Sequence, residues 1–398
     1  MSSRLICFLS CALLSNICAA AINVAIIWCL ATPSLPSWII MVHQLLYSLG
    51  LILGAHFAPK LSMSGKHPCT LVRQVCCCEA VAAALVGGIL LMALWRTSIF
   101  FVLAVSVVSF WVACLVGAGG PSWIQLVSIS GVQEKRNKRI GADSAQFQIG
   151  RAVGPVIGTL ALQNGIKWVW ILVSLNVISY LVSGWMSGRL EHLEQHVSVD
   201  AHKIECNMIR RKLKIWQWLA FIGIIIVITI SADGLRAYIP RRMRSAGAGV
   251  NLYGMFSTVG ALGGMLAGIL VTVWSREGTH FKIIRISMPT IAAGLSCWAL
   301  TGVTTYGMVI GVGLVAIGSV SFYVGVNQFI FNVFDGISAR IINAKMSSVR
   351  SLGGMVGVIL GAFISNNTMC YIWIFSALLL IYLVISRKLW AWIEPLMS

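Results

Sequence analysis

Charged residues are scarce in this sequence. Asp, Glu, Lys and Arg together make up 10% of the 398 residues, and only 11 residues are acidic. A water-soluble domain needs a polar surface, so a chain that is 58% hydrophobic and this poor in charge is not expected to be soluble. The composition instead predicts a protein that exposes most of its surface to lipid.

The hydrophobic residues are gathered into long runs, and a run of roughly 20 apolar residues is long enough to cross a bilayer. A spanning segment must be helical, because lipid offers no hydrogen-bond partner to an open backbone. We therefore predict an all-α membrane protein with twelve transmembrane helices. The predicted segments are about 5–31, 38–58, 74–95, 98–119, 142–163, 167–187, 213–233, 251–274, 283–304, 306–333, 344–365 and 369–385.

The motifs of nucleotide-driven pumps and of common hydrolases are absent. The nearest match to the phosphate-binding pattern G-x-x-x-x-G-K-[ST] is Gly65-Lys66-His67, which lacks the earlier glycine and the final hydroxyl. No Ser-His-Asp, Cys-His or H-E-x-x-H arrangement stands out. The 12 cysteines have no paired C-x-x-C spacing, and nothing holds the histidines of 188–214 in a fixed geometry. We expect no enzyme activity, no metal site and no cofactor.

The net charge of +18 would suggest nucleic-acid binding in a soluble protein. Here most basic residues lie in loops between apolar runs, which is typical of membrane topology instead. Placing the longer, basic loops in the cytoplasm puts both termini there as well. The loop after helix 7 departs from this bias, since it carries Arg236, Arg241, Arg242 and Arg244 on the outer side. The expected environment is a lipid bilayer, with no nucleic-acid partner.

A charged connector at 188–214 separates two sets of six segments, so we predict a first half at 1–187, a cytoplasmic linker at 188–214 and a second half at 215–398. A weak internal repeat supports this division. A shift of 199 residues aligns the fifth segment of each half, and two six-helix halves in a parallel repeat are typical of one large class of transporters. The aligned pairs are Ala145 and Ala344, Arg151 and Arg350, Gly154 and Gly353, and Gly158 and Gly357.

The strongest local motif opens the fifth segment and consists of Gly141, Gly150, Gly154, Pro155 and Gly158. The last three glycines recur every four residues, so they form a smooth ridge that allows another helix to approach closely. Pro155 removes one backbone donor and is expected to kink the helix. We predict a bent, closely packed element that takes part in gating; generic helix packing is the alternative.

This motif resembles the antiporter motif of the major facilitator superfamily, and residues 142–155 are similar to the branch that includes the enterobactin exporter and macrolide efflux proteins. The family form ends in Gly-Gly, whereas this chain has Gly158-Thr159. A second departure lies between helices 2 and 3. There the family usually carries an acidic residue, but residues 54–60 contain none.

The resemblance implies a bacterial inner-membrane protein that exports a small organic molecule by proton antiport, with alternating access between two halves. An uptake permease on the same fold is one alternative. A non-transporting membrane sensor or an inactive relative is another, and the missing acid after helix 2 favours it.

Charged residues inside predicted spans are costly and therefore indicate function or specific pairing. The carboxyls that could couple transport to protons are Glu79, Asp143 and Asp233, although each could instead pair with a nearby arginine. Arg151 and Arg350 lie within the fifth and eleventh segments. We expect Arg151 to pair with Glu79; the alternative is that the arginines bind an anionic or catecholic substrate.

Several amides fall on helices that, by the resemblance, face a central cavity. These proposed substrate-binding residues are Asn16, Asn23, Gln44, Asn327 and Gln328, with Arg151 and Arg350. Asn16 and Asn23 are seven residues apart and so share one face of the first helix. Hydrogen bonding between helices is the alternative role for all five amides.

Overall fold

The computed structural model describes residues 3–32, 35–36, 38–63, 68–95, 98–128, 133–205, 215–230, 250–273, 279–301, 305–334 and 336–364. These residues form eleven α-helices. They are α1 Ser3–Leu30, α2 Trp38–Met63, α3 Pro68–Trp95, α4 Ile99–Ser128, α5 Gln133–Asn164, α6 Ile166–Glu205, α7 Ile215–Thr229, α8 Val250–Val273, α9 Thr279–Thr301, α10 Thr305–Val333 and α11 Gly336–Ile364.

The eleven helices match the first eleven predicted segments, while the twelfth, at 369–385, lies outside the described residues. Seven of the described helices are long and apolar enough to cross a bilayer by length and composition. The predicted starts of three helices were wrong. α3 begins six residues earlier than predicted, α11 eight residues earlier and α5 nine residues earlier, because polar residues such as Gln, Glu, Lys and Arg continue a helix beyond the apolar part. α6 likewise runs on to Glu205, into the predicted linker.

Each half has its own hydrophobic core. In the first half, α1, α2, α3, α4 and α6 contribute to a cluster that includes Ile22, Ile39, Leu90 and Val173. In the second half, a cluster that includes the fully buried Phe322 of α10 is formed with residues of α7, α8, α9 and α11. The described chain is therefore an all-α protein in two helical halves, as the sequence predicts.

Two helix pairs make the most extensive contacts between the halves: α5 packs along α8, and α2 packs along α11, while α4 with α11 and α5 with α10 make smaller contacts. α5 and α8 run antiparallel. At one end Gln163 Nε2 donates to Asn251 Oδ1 over 2.9 Å, and at the other a Cβ on Gly268 would lie 2.9 Å from Ala145 Cα. Under the internal repeat, α2 corresponds to α8 and α5 to α11. The two connections are thus equivalent to one another, which supports the repeat independently of the four aligned residue pairs.

The outer surface is apolar, as contact with lipid requires. On α5 the exposed side chains of Val153, Val156 and Leu160 recur at helical spacing and form one stripe. α6 carries the exposed indoles of Trp168, Trp170 and Trp185. The stripe on α5 identifies the face of that helix that points away from the rest of the protein.

Candidate functional site at the interface between the halves

The three regularly spaced glycines of α5 pack directly against α1. A Cβ added to Gly150 would lie 2.6 Å from Asn16 Cβ, and one added to Gly154 would lie 2.5 Å from Ala20 Cβ. A Cβ on Gly158 would collide with the carbonyl oxygen of Ala21. The backbones of α1 and α5 are therefore too close for any residue larger than glycine at these three positions. This is the packing expected from a small-xxx-small ridge.

The rest of the motif faces the other half. Helical spacing places Gly141 on the side of α5 that carries Ala145 and meets α8. Pro155 is buried within α5, and its carbonyl accepts a 2.6 Å hydrogen bond from Thr159 Oγ1. A Cβ on Gly254 of α8 would lie 2.6 Å from that same hydroxyl oxygen. Thr159 replaces the second glycine of the family form, so this departure alters the contact between halves and leaves the α1 ridge intact.

A polar chain links three helices of the first half. Asp143 Oδ1 on α5 accepts hydrogen bonds from Trp123 Nε1 of α4 at 3.0 Å and from Gln146 Nε2 at 3.2 Å. Gln146 Oε1 in turn accepts from Asn16 Nδ2 of α1 at 3.2 Å. Asp143 and Asn16, predicted for proton coupling and substrate binding, are thus joined through Gln146. Sequence reasoning missed Gln146, although its position three residues after Asp143 places both on one face.

Trp123→Phe is expected to destabilise the protein, because it keeps a ring against Phe8, whose centroid lies 4.6 Å away, yet removes the hydrogen bond to Asp143. A hydrogen bond to a charged group contributes about 1.5–3 kcal/mol. The measurement is the thermal unfolding midpoint of purified protein. Trp111→Phe is the matched control, since Trp111 lies on the same helix with 61% of its surface exposed. Equal midpoints for the two variants would contradict the role given to Trp123.

The second half contains a corresponding chain across α7, α10 and α11. Thr229 Oγ1 and the hydroxyl of Tyr323 are hydrogen-bonded at 2.8 Å. The Arg350 guanidinium lies over the Tyr323 ring, with Cζ 3.9 Å from its centroid. A Cβ on Gly353 would lie 3.0 Å from Thr229 Cβ, so α11 approaches α7 as α5 approaches α1. Both halves therefore connect their first, fourth and fifth helices through polar or charged side chains.

Arg151 is exposed on α5, and its Cζ lies 5.6 Å from the centroid of the Phe147 ring. Arg151, Arg350 and Glu79 all lie close enough to Tyr47 of α2 to act electrostatically on its phenol. Glu79 is half-buried and lies three turns into α3, about 16 Å from the helix start, because α3 begins six residues before its predicted start. Sequence reasoning missed Tyr47, which lies within electrostatic range of all three charges.

The start of α5 bonds to the end of α10 across the interface. Arg136 Nη1 donates to the Phe331 carbonyl oxygen at 2.7 Å, and Gln328 Nε2 donates to the Asn137 carbonyl oxygen at 3.4 Å. Ile140, one turn further along α5, is buried in the core of the second half. Gln328, predicted to bind substrate, is placed by the structure at this contact.

Arg136→Ala is expected to loosen this end of the interface. We would measure the alkylation rate of Ile140→Cys in an otherwise cysteine-free protein, because Ile140 is buried between the halves. Loss of a charged hydrogen bond worth about 1.5–3 kcal/mol should raise that rate by about tenfold or more. Lys135→Ala is the control, since Lys135 is exposed one residue earlier. An unchanged rate would show that the Arg136 bond does not hold this end closed.

The remaining predicted residues lie on different helices or outside the described residues. Asn23 is exposed on α1, Gln44 is half-buried one turn before Tyr47, and Asn327 is half-buried on α10. Asp233 and the arginine-rich loop that follows it lie outside the described residues. His43 of α2 and Ser106 of α4 form a buried pair that the sequence did not indicate. The distance between His43 Nδ1 and Ser106 Oγ is 3.2 Å.

Within the ranges that the structure describes, no group of three or more His, Cys, Asp or Glu side chains is placed to hold a metal ion. The ten described cysteines are free thiols.

Comparison with solved structures establishes the fold. A bacterial homologue of the iron transporter ferroportin, crystallised in an outward-facing state with soaked iron, superimposes with a TM-score of 0.70 at 14% identity, covering 98% of this chain and 99% of that one. A bacterial homologue of ferroportin in another outward-facing structure gives a TM-score of 0.66 at 12% identity, covering 96% of this chain and 98% of that one. The human organic anion transporter MFSD10 gives 0.66 at 12% identity over 97% and 100%. No protein-family model matches the sequence, and no curated protein matches it.

The chain therefore has the major facilitator fold, as its motif implied. The likeness covers nearly the full length of each neighbour, so it includes both halves and the connections between them.

Proposed function

We propose that this protein is a secondary active transporter that exports a small organic molecule by proton antiport. The observation that carries the proposal is the equivalence of the α5–α8 and α2–α11 connections. Rocking one half against the other repacks both pairs in the same way, which is the motion that alternating access requires. The glycine ridge on α5 couples that motion to α1, because the two backbones touch directly.

Proton coupling needs a carboxyl whose protonation changes contacts between helices. Asp143 satisfies this requirement, since its Oδ1 accepts bonds from α4 and, through Gln146, is connected to Asn16 on α1. Protonation would weaken an acceptor that two donors share, and would thereby loosen the first-half chain. Glu79 and Asp233 remain further proposed coupling residues.

The proposed location is the bacterial inner membrane, with both termini and the 188–214 connector in the cytoplasm. The positive-inside distribution of basic loops supports this orientation. Single-cysteine labelling tests it in an otherwise cysteine-free protein. Cys206 should react with a membrane-impermeant maleimide only after the cells are opened. Labelling of Cys206 in intact cells would contradict the proposed orientation.

Transport can be measured in inverted membrane vesicles whose interior is acidified by a proton pump. We would follow an anionic fluorophore, carboxyfluorescein, and a cationic one, ethidium, with and without an uncoupler. Uptake that collapses with the uncoupler supports proton-driven export. Uptake that survives the uncoupler favours a permease, and equal signals in vesicles with and without the protein favour a sensor or an inactive relative.

A further inference from the structure

We propose that α3 and α6 bind the headgroup of an anionic phospholipid, with Arg73 and Arg189 holding its phosphate and Trp185 beside it. This site lies on the lipid-facing surface of the first half, at one surface of the membrane. It depends neither on the transported substrate nor on the proposed proton antiport, and it can be tested by binding alone.

α3 and α6 lie side by side, antiparallel and in close contact. A Cβ added to Gly87, far along α3, would collide with the side chain of Val173 near the start of α6. A Cβ added to Gly184, further along α6, would lie 3.1 Å from Cys76 Cβ, which is nearer the start of α3. The start of α3 is therefore next to the later part of α6.

The two arginines lie at the same end of this helix pair. The apolar span of α3 covers Pro68–Leu94, so Arg73 is about 7.5 Å from its start, and the span of α6, Ile166–Arg189, ends at the second arginine. Because the helices are antiparallel, both residues belong to one surface of the membrane. In the proposed orientation this is the cytoplasmic surface. Anionic headgroups at such a surface attract basic side chains.

Both arginines stand at the ends of helix faces that point to lipid. On α3, Arg73, Cys77, Val81 and Leu85 recur every four residues, and all four are exposed. On α6, a stripe of exposed side chains at helical spacing leads to Arg189. This stripe consists of Ile171, Leu175, Ile178, Val182 and Trp185. A phospholipid whose acyl chains lie along the two stripes would place its headgroup at the arginines.

The glycine at position 188 brings the two arginine side chains near each other. A Cβ built on Gly188 would lie 3.9 Å from both Cδ and Nη1 of Arg73, so the Arg73 side chain crosses a position that has no side chain of its own. Arg189 is the next residue, and its Cζ lies 3.7 Å from the centroid of the Trp185 ring. Residues three apart on a helix have Cβ atoms about 5–6 Å apart, so Arg73 Nη1 is at most about 10 Å from Trp185 Cβ. A headgroup with a phosphate and a glycerol, or with two phosphates, spans such a distance.

Neither guanidinium is neutralised by a side chain that the structure describes. Arg73 and Arg189 are exposed, and no carboxylate among the described residues pairs with them. A guanidinium stacked on a ring keeps its N–H edge available for a phosphate, which it binds through two parallel hydrogen bonds. Trp185, with 54% of its surface exposed, is the kind of ring that is enriched where a membrane meets water. Two unpaired cations beside an aromatic ring and an apolar surface match the charge and the shape of an anionic phospholipid.

Binding can be followed from Cys77, which is exposed one turn from Arg73 on the same face of α3. The full chain with Cys77 as its only cysteine would be labelled with bimane and reconstituted in phosphatidylcholine vesicles. The probes are phosphatidylglycerol and phosphatidylcholine with identical nitroxide-labelled acyl chains. We expect the anionic lipid to reach half-maximal quenching at a mole fraction about tenfold or more lower than the zwitterionic lipid, since two arginines contribute to its binding.

Three variants locate the site. Arg73→Gln and Arg189→Gln should each raise the phosphatidylglycerol fraction needed for half-maximal quenching by about fivefold. Gly188→Leu keeps every charge but fills the space that the Arg73 side chain crosses, so it should weaken the quenching as well. Lys60→Gln is the matched control, because Lys60 is exposed on α2 just before the short connection to α3, and it should behave as the wild type does.

The proposal is overturned if the two lipids quench alike, if the arginine variants match the wild type, or if Gly188→Leu has no effect. An equal loss in Lys60→Gln would also overturn it, since that result indicates a general attraction to the basic surface. Inorganic phosphate distinguishes a soluble anion from a lipid. Millimolar phosphate should leave quenching by phosphatidylglycerol unchanged, and full competition would assign the two arginines to a soluble anion instead.

Discussion

Gly154→Leu is expected to abolish transport while the protein still reaches the membrane in normal amounts. Even the first atom of a side chain at this position would lie 2.5 Å from Ala20 Cβ and 2.7 Å from the Ile17 carbonyl oxygen. α1 and α5 would have to separate, and overpacking of this kind typically costs about 1–3 kcal/mol. Imposed on one conformation more than the other, that cost shifts the balance between them by about 5–150-fold.

The measurement is proton-driven uptake into inverted vesicles, normalised to the amount of protein by immunoblot. Gly88→Leu is the matched control, because nothing lies within 4 Å of a Cβ built on Gly88 of α3. Loss of transport in both variants would indicate a general effect of leucine in these helices. Wild-type transport by a normally expressed Gly154→Leu protein would refute the gating role of the ridge.

If Arg151 binds an anionic substrate, neutralising it is expected to reduce export of anionic compounds selectively. Arg151→Gln removes a cation from α5 and leaves the adjoining glycine ridge in place. Carboxyfluorescein transport should fall by about tenfold or more, since each factor of ten corresponds to about 1.4 kcal/mol and a charge-assisted pair exceeds that. Transport of any neutral or cationic compound that the protein accepts should be spared.

The double variant Arg151→Gln, Glu79→Gln separates substrate binding from pairing within the protein. If Arg151 serves only to neutralise Glu79, removing both charges should restore folding and transport relative to either single change. If Arg151 binds the substrate, the double variant should remain inactive toward carboxyfluorescein. Equal loss for anionic and cationic probes in Arg151→Gln would contradict the anion site.

The positions of the helices could be predicted from hydropathy because the bilayer imposes one length and one backbone conformation on every crossing. The same reasoning placed the starts of α3, α5 and α11 too late, since hydropathy reports the part of a helix that lies in lipid and misses its polar end. Because α3 starts earlier than predicted, Glu79 lies three turns from the start of the helix. Spacing along a single helix correctly predicted which residues share a face. Gly150, Gly154 and Gly158 recur every four residues, and all three contact α1.

Contacts between helices could not be obtained in this way. Nothing in the spacing of α5 indicates that Asp143 meets Trp123 of α4, that Gln146 meets Asn16 of α1, or that Arg136 meets the carbonyl of Phe331. In an apolar chain almost every helix face is hydrophobic enough to pack, so the sequence leaves the choice of neighbour open.

The amino-acid sequence alone therefore accounts for the membrane environment, the division into halves and the repeat that relates Arg151 to Arg350. Only the tertiary structure places Arg350 over the Tyr323 ring and joins Asp143 to Asn16 through Gln146. The physical reason is that burial in lipid is a property of each segment, whereas a binding site depends on how separate helices are rotated and placed against one another by close packing.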